Sequence, residues 1–110
     1  MDLYGLLGYP LGHSFSAAYF TEKFSNLQID ARYCNFEYNS VEAALAYMMQ
    51  QDELKGFNVT IPYKEKIIPY LSELSADAAA IGAVNVVKVI RDGNGKVSLK
   101  GYNSDYIGFV

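Results

Sequence analysis

Short apolar runs that alternate with stretches of helical periodicity constrain this chain more than any other feature. Leu3 to Gly8 is apolar and bounded by Gly8, Pro10 and Gly12, so it reads as a buried strand running into a loop. Ser14 or Ser16 then caps a helix to about Leu27, because Phe15, Tyr19, Phe20 and Phe24 recur at helical spacing and form one apolar face. Ala31 to Tyr38 is rich in aromatic residues but carries Arg32, Asn35 and Glu37, which predicts a second strand near a sheet edge. Ser40 caps a helix with Val41, Ala44, Leu45 and Met48 along its inner side. Lys55 to Val59 is a third strand, after which Pro62 fits the first turn of a helix through Ile67, Ile68 and Leu71, interrupted by Pro69. Leu74 to Ile81 is alanine-rich and helical.

The last pattern differs. Val84 to Ile90 and Lys96 to Tyr102 flank Asp92-Gly93-Asn94-Gly95, whose glycines and small polar residues supply the positive φ angles of a tight hairpin. Strands alternating with helices, then one late β-hairpin, predict an α/β fold: a three-layer α/β/α domain around a mixed, mostly parallel sheet.

With 110 residues the chain makes one domain. A net charge of −3 with only Arg32 and Arg91 as arginines argues against nucleic acid, because phosphate neutralisation needs clustered cations. No apolar run approaches the roughly 20 residues of a membrane span, and Met1-Asp2-Leu3 lacks the basic start of a signal peptide. A single cysteine, Cys34, fits a reducing cytoplasm and reads as core, and a single histidine, His13, leaves a His-Cys metal cluster short of ligands. The ten tyrosines show no stacking pattern and read as packing. The chain stops on Tyr106-Ile107-Gly108-Phe109-Val110, an apolar run resembling the first turns of a helix, where domain ends are more often polar. The expectation is a fragment cut after its first domain, with 1–101 as that domain and 102–110 as the start of a helix toward another. Such an end would fray or find cover in a dimer formed through it.

A few residues carry chemistry. Lys64, in the expected first helical turn, is misplaced for the helix dipole, which would lower its pKa and suit proton transfer. On spacing alone, a solvated lysine beside Glu65 and Lys66 is the commoner case. Asp105 stands at a strand end near a helix start, where an aspartate is also ordinary stabilisation. Ser14 and Ser16 flank Phe15 and could share one anionic ligand or simply cap the helix. His13 could bind substrate, or pair with backbone in its loop. Asn85, inside the apolar run Ala83-Val84-Asn85-Val86-Val87, must be hydrogen-bonded, since an unpaired buried carboxamide costs several kcal/mol in rough transfer terms.

Four segments in order settle a resemblance: Gly8-Tyr9-Pro10-Leu11-Gly12-His13-Ser14-Phe15-Ser16, Gly56-Phe57-Asn58-Val59-Thr60-Ile61-Pro62-Tyr63-Lys64, Ile81-Gly82-Ala83-Val84-Asn85-Val86-Val87 and Gly101-Tyr102-Asn103-Ser104-Asp105-Tyr106-Ile107-Gly108. Together they closely resemble the N-terminal, substrate-binding half of the shikimate dehydrogenase family. That resemblance implies reversible reduction of 3-dehydroshikimate to shikimate with NADPH, in the chorismate pathway of aromatic amino-acid biosynthesis. It implies that Ser14 and Ser16 hold the substrate carboxylate, with Thr60 also in reach of it. Asn58, Thr60, Asn85 and Asp105 would bind the hydroxyls. Lys64 and Asp105 would form the catalytic pair, with the lysine stabilising and protonating a developing alkoxide. NADP would be bound by a domain beyond Val110, so this chain alone is expected to be inactive. Ser104 stands where the family often has threonine, and Ala17-Ala18-Tyr19 where it often has a proline and a histidine-asparagine pair. Both leave shikimate against quinate open. A metabolite-binding relative without activity is the rival reading, and the presence of both Lys64 and Asp105 favours the enzyme.

Overall fold

The computed structural model describes residues 2–11 and 16–103, with residues 16–20 described by their backbone alone. His13, Ser14, Ser104, Asp105 and the terminal run from Tyr106 lie outside the described residues, so the expectations placed on them stay expectations.

In chain order the elements are β1 (Asp2–Gly8), α1 (Ser16–Asn26), β2 (Ala31–Glu37), α2 (Val41–Met48), β3 (Leu54–Val59), a 3-10 turn (Ile68–Tyr70), β4 (Glu73–Leu74), α3 (Ala76–Ile81), β5 (Val86–Arg91) and β6 (Val97–Tyr102). The sheet runs β2-β1-β3-β5-β6-β4. Strand β1 pairs parallel with both β2 and β3, and β4 pairs parallel with β6, while β5 is antiparallel to β3 and to β6. The mixed, mostly parallel sheet and the late hairpin are as expected, and β2 does lie at an edge.

Alternation along the strands distributes side chains between two layers. Leu3 and Leu7 of β1, Phe57 and Val59 of β3, Val87 and Val89 of β5 and Leu99 of β6 join Val41, Ala44, Leu45 and Met48 of α2 and Ala78 of α3 in the main core. On the other face, Leu6 packs with Phe24 of α1, with Leu11 and with Tyr33 of β2. Helix α1 therefore covers one side of the sheet, and α2 and α3 the other. Ser40 caps α2 by accepting from the Ala43 amide, and Ser75 caps α3 by accepting from the Ala78 amide. At the hairpin the Asp92 side chain accepts from the Asn94 and Lys96 amides, and Gly95 takes the positive φ of 82°.

Three expectations need correction. No α-helix follows Pro62. The segment from Thr60 to Tyr63 is instead a turn closed by the Tyr63 amide on the Thr60 carbonyl, with the peptide before Pro62 cis. Turns then run from Lys64 to the 3-10 segment, with Tyr63 and Ile67 drawn into the main core and Pro69 lacking the amide that would extend a helix. Leu74 belongs to β4, so the alanine-rich helix starts only after Ser75. Asn85 stands on a bend one residue ahead of β5 and is half-buried rather than inside a strand.

Phe57 is fully buried at the centre of the main core. Phe57→Ala should lower stability by about 3–5 kcal/mol through lost burial and the cavity left behind. Ser40→Ala should cost only about 1 kcal/mol, the value of one N-cap. Urea unfolding followed by far-ultraviolet circular dichroism would rank the two, and equal costs would contradict a central place for Phe57 in the core.

Candidate functional site

Parallel strands in an α/β sheet end at a common edge, and ligands gather there. Here β1 and β3 end at Gly8 and Val59, and the antiparallel β5 brings its beginning to the same edge. The backbone ties these ends together. The Thr60 amide donates to the Leu7 carbonyl at 2.9 Å, the Val59 amide to the Asn85 carbonyl at 2.9 Å, and the Asn85 amide to the Tyr102 carbonyl at 2.9 Å. The Val84 amide donates to the Lys64 carbonyl at 2.8 Å. Asn58, Thr60, Lys64 and Asn85 are thus brought to one edge by direct bonds between their own segments.

Lys64 owes its position to its neighbours. Tyr63 and Ile67 sink into the main core on either side of it, and the Tyr63 hydroxyl donates to the Tyr38 carbonyl. That anchors the turn and leaves the lysine exposed. Because Lys64 lies on a turn, the helix-dipole argument for its proton affinity no longer applies. Gly8 is needed where it stands: a Cβ there would collide with the Thr60 methyl and with Leu11.

Asn58 is buried, at 8% exposure, on the face opposite the main core. Its Nδ2 donates to the Tyr33 hydroxyl at 2.6 Å. Among the described residues its carboxamide oxygen takes no donor, and no buried side-chain polar atom is left without a partner, so that oxygen reaches the accessible surface. Burial pushes the Tyr33 hydroxyl up to about 12, with the Asn58 bond acting in the opposite direction and Cys34 adding to the rise. Tyr33 is the residue that sequence reasoning missed, since the tyrosine pattern reads as packing. The only signal was a tyrosine among polar residues on an edge strand.

Beyond the sheet, Asn103 donates through Nδ2 to the Ala83 carbonyl at 3.0 Å, which fixes the chain two residues ahead of Asp105 beside the Asn85 segment. Of the expected site residues, Asn58, Thr60, Lys64 and Asn85 are therefore together. Ser16 is the first residue of α1, its side chain lying outside the description, and Ser14 and Asp105 lie outside it altogether. A cavity of about 370 Å³ lined by Asn39, Ser40, Val41, Glu42, Tyr63, Lys66 and Tyr70 includes none of the expected site residues. Cys34 packs against the main core and burial raises its thiol, as a core cysteine should behave. Among the described residues no three His, Cys, Asp or Glu side chains cluster to hold a metal, and no helix is long and apolar enough to cross a membrane.

Comparison with known proteins finds relatives that span nearly all of this chain. A model of the shikimate dehydrogenase substrate binding domain matches residues 6–87. The shikimate dehydrogenase (NADP(+)) of Syntrophomonas wolfei is 43% identical over 110 residues, covering 99% of this chain and 36% of the relative. The solved shikimate dehydrogenase of Aquifex aeolicus superposes with a TM-score of 0.83 at 39% identity, over 99% of this chain and 40% of that one. The enzyme of Thermus thermophilus, solved with NADP(H) and shikimate, superposes with a TM-score of 0.77 at 30% identity, over 94% of this chain and 38% of that one. The chain spans just over a third of the length of the curated relatives it matches.

The buried Tyr33 hydroxyl gives the site a pH signature. An unfolded tyrosine ionises near 10, while the folded one holds its proton to about 12. Between those values the unfolded chain carries fewer protons, so stability present below pH 10 should fall as pH rises to about 12, by on the order of 2–3 kcal/mol. Tyr33→Phe should flatten that part of the slope, leaving the contributions of Tyr4, Tyr38 and Tyr63, also raised chiefly by burial, and of Tyr70, raised chiefly by its bond to Glu42. Urea midpoints between pH 9 and 12 would test this, and identical slopes for both proteins would contradict it.

Proposed function

The chain belongs to the shikimate dehydrogenase substrate-binding domain family, and from that premise we propose that it forms the substrate-binding half of an NADP-dependent enzyme interconverting 3-dehydroshikimate and shikimate. The observation that carries this reading is the convergence of Asn58, Thr60, Lys64 and Asn85 on one sheet edge, each fixed through the backbone of another strand or turn. In this reading 1–101 make the substrate-binding unit and 102–110 lead toward a nucleotide-binding one, with Tyr102 still the last residue of β6. The chemistry of the aromatic pathway and the single Cys34 both fit a reducing cytoplasm.

The described residues do not fit the nucleotide itself. A pyrophosphate needs open glycine amides at a helix N-terminus. Gly8, at the end of β1, meets Thr60 and Leu11 on the side a Cβ would occupy, and the turn after β3 holds Pro62, which has no amide to offer, and runs through further turns into a 3-10 segment rather than an α-helix.

The chain's own residues divide the work. Ser14 and Ser16 receive the carboxylate of the substrate, and Asn58, Thr60, Asn85 and Asp105 its hydroxyls. Lys64 and Asp105 handle the proton on the oxygen of the reacting carbon. When that oxygen develops negative charge, an ammonium beside it stabilises the charge and delivers a proton, and in the reverse direction an amine accepts one. An exposed lysine on an anchored turn suits this task, because it exchanges protons with water without losing its place.

In the full-length enzyme, Lys64→Ala should lower kcat for shikimate oxidation by roughly 100-fold or more, with a smaller change in KM, because the lysine acts mainly in the transition state. Ser14→Ala and Ser16→Ala should raise KM with little effect on kcat, since a carboxylate remote from the reacting carbon is held alike in both states. Each lost bond to the charged group is worth roughly 1.5–3 kcal/mol. Steady-state NADP reduction at varied shikimate measures all three. A Lys64→Ala enzyme with normal kcat would return the lysine to the solvated surface, and normal shikimate binding by both serine variants would leave them as helix caps.

A further inference from the structure

Tyr33 and Asn58 sit on strands that do not touch. Strand β1 runs between them, with Tyr33 opposite Tyr4 and Asn58 opposite Leu6, so the two side chains meet diagonally across β1 on the α1 face. Only a side chain as long as tyrosine carries a hydroxyl over that distance, and it ends 2.6 Å from Asn58 Nδ2. Both residues are buried, at 5% and 8% exposure. A primary carboxamide can present either its oxygen or its nitrogen to a ligand, and turning it exchanges an acceptor for a donor. With Nδ2 held on the tyrosine, the oxygen is what remains for the accessible side.

We propose that Tyr33 is a positioning residue which fixes the Asn58 carboxamide with its oxygen toward the cleft, so that a ligand must meet Asn58 with a hydroxyl that donates. This rests on the substrate reading above and deepens it. At this one position the site asks for a hydroxyl, and it disfavours a ketone or ether oxygen that can only accept. Sites built to pair with a hydroxyl discriminate strongly against analogues lacking it, because their own polar group is then left unpaired. Phenylalanine in place of Tyr33 keeps the ring and its packing but removes the acceptor for Nδ2. The carboxamide is then free to turn, and the preference it enforces is lost.

The test uses the ¹⁵N-labelled chain in two parts. Without ligand, the Asn58 side-chain amide protons should be separate and slow to exchange in the unsubstituted chain, and should exchange faster in Tyr33→Phe while the other amide signals keep the folded pattern. Titration then compares shikimate with its 4-deoxy and 5-deoxy derivatives. The unsubstituted chain should bind one of the two deoxy compounds roughly tenfold or more weakly than shikimate. In Tyr33→Phe shikimate itself should lose roughly tenfold, and that deoxy penalty should shrink to about threefold or less. A packing role alone would weaken all three ligands by one factor, and that result overturns the inference. Unchanged Asn58 amide signals in Tyr33→Phe overturn it whatever the titrations give. Faster exchange together with no shikimate binding by the unsubstituted chain upholds the pinned carboxamide and overturns the substrate reading instead.

Discussion

The antiparallel join between β3 and β5 is the constraint on which the rest of the domain depends. Strands β1, β2 and β3 all run one way and deliver their ends to one edge of the sheet. Had β5 continued that pattern, its beginning would lie at the far edge and Asn85 with it. Because β5 runs against β3, the carbonyl of Asn85 meets the amide of Val59, and the bend before β5 sits beside the turn that bears Lys64. The join itself is held by burial. Phe57 and Val87 stand opposite one another in the main core, both fully enclosed, so a one-residue slip of β5 would turn Val87 toward the other face.

Much of this was legible in the residue order, and the parts that were not have physical reasons. The start and inner face of helix α2 could be read directly, because Ser40 offers a cap and Val41, Ala44, Leu45 and Met48 keep a strict helical spacing, all four of them buried. The edge position of β2 could be read from the charges at Arg32 and Glu37, both exposed. The segment after β3 could not. Proline is equally at home in a helix's first turn and in a tight non-helical turn, and only the tertiary anchors Tyr63 and Ile67 decide between them. The gathering of Asn58, Thr60, Lys64 and Asn85 at one edge was to be expected from the family resemblance, whereas spacing alone left Lys64 as an ordinary surface lysine. Tyr33 was invisible because its partner lies twenty-five positions away and two strands over.

Polar groups at this edge are supported unevenly, and the pattern is informative. Asn58 is enclosed and held by a side chain, Thr60 is half-buried and held by its own backbone, and Lys64 is exposed with its carbonyl tied to Val84. A group that must offer a fixed hydrogen bond gains from being immobilised before any ligand arrives, since less freedom remains to be lost on binding. A group that must exchange a proton with solvent gains from the opposite. In the function proposed above, the gradient from enclosed amide to exposed lysine follows that division.

The direction of β5 also settles where this chain can change length. The turn from Asp92 to Lys96 closes on itself through the Asp92 side chain and is exposed throughout. It lies at the opposite edge of the sheet from Asn58 and Asn85, a full strand's length away along β5. Loop tips of this kind accept added residues because no buried backbone group depends on them. The domain therefore has one edge where a single inserted residue would shift Asn85 out of line with Val59, and another where a peptide or a reporter could be grafted while the site edge keeps its register.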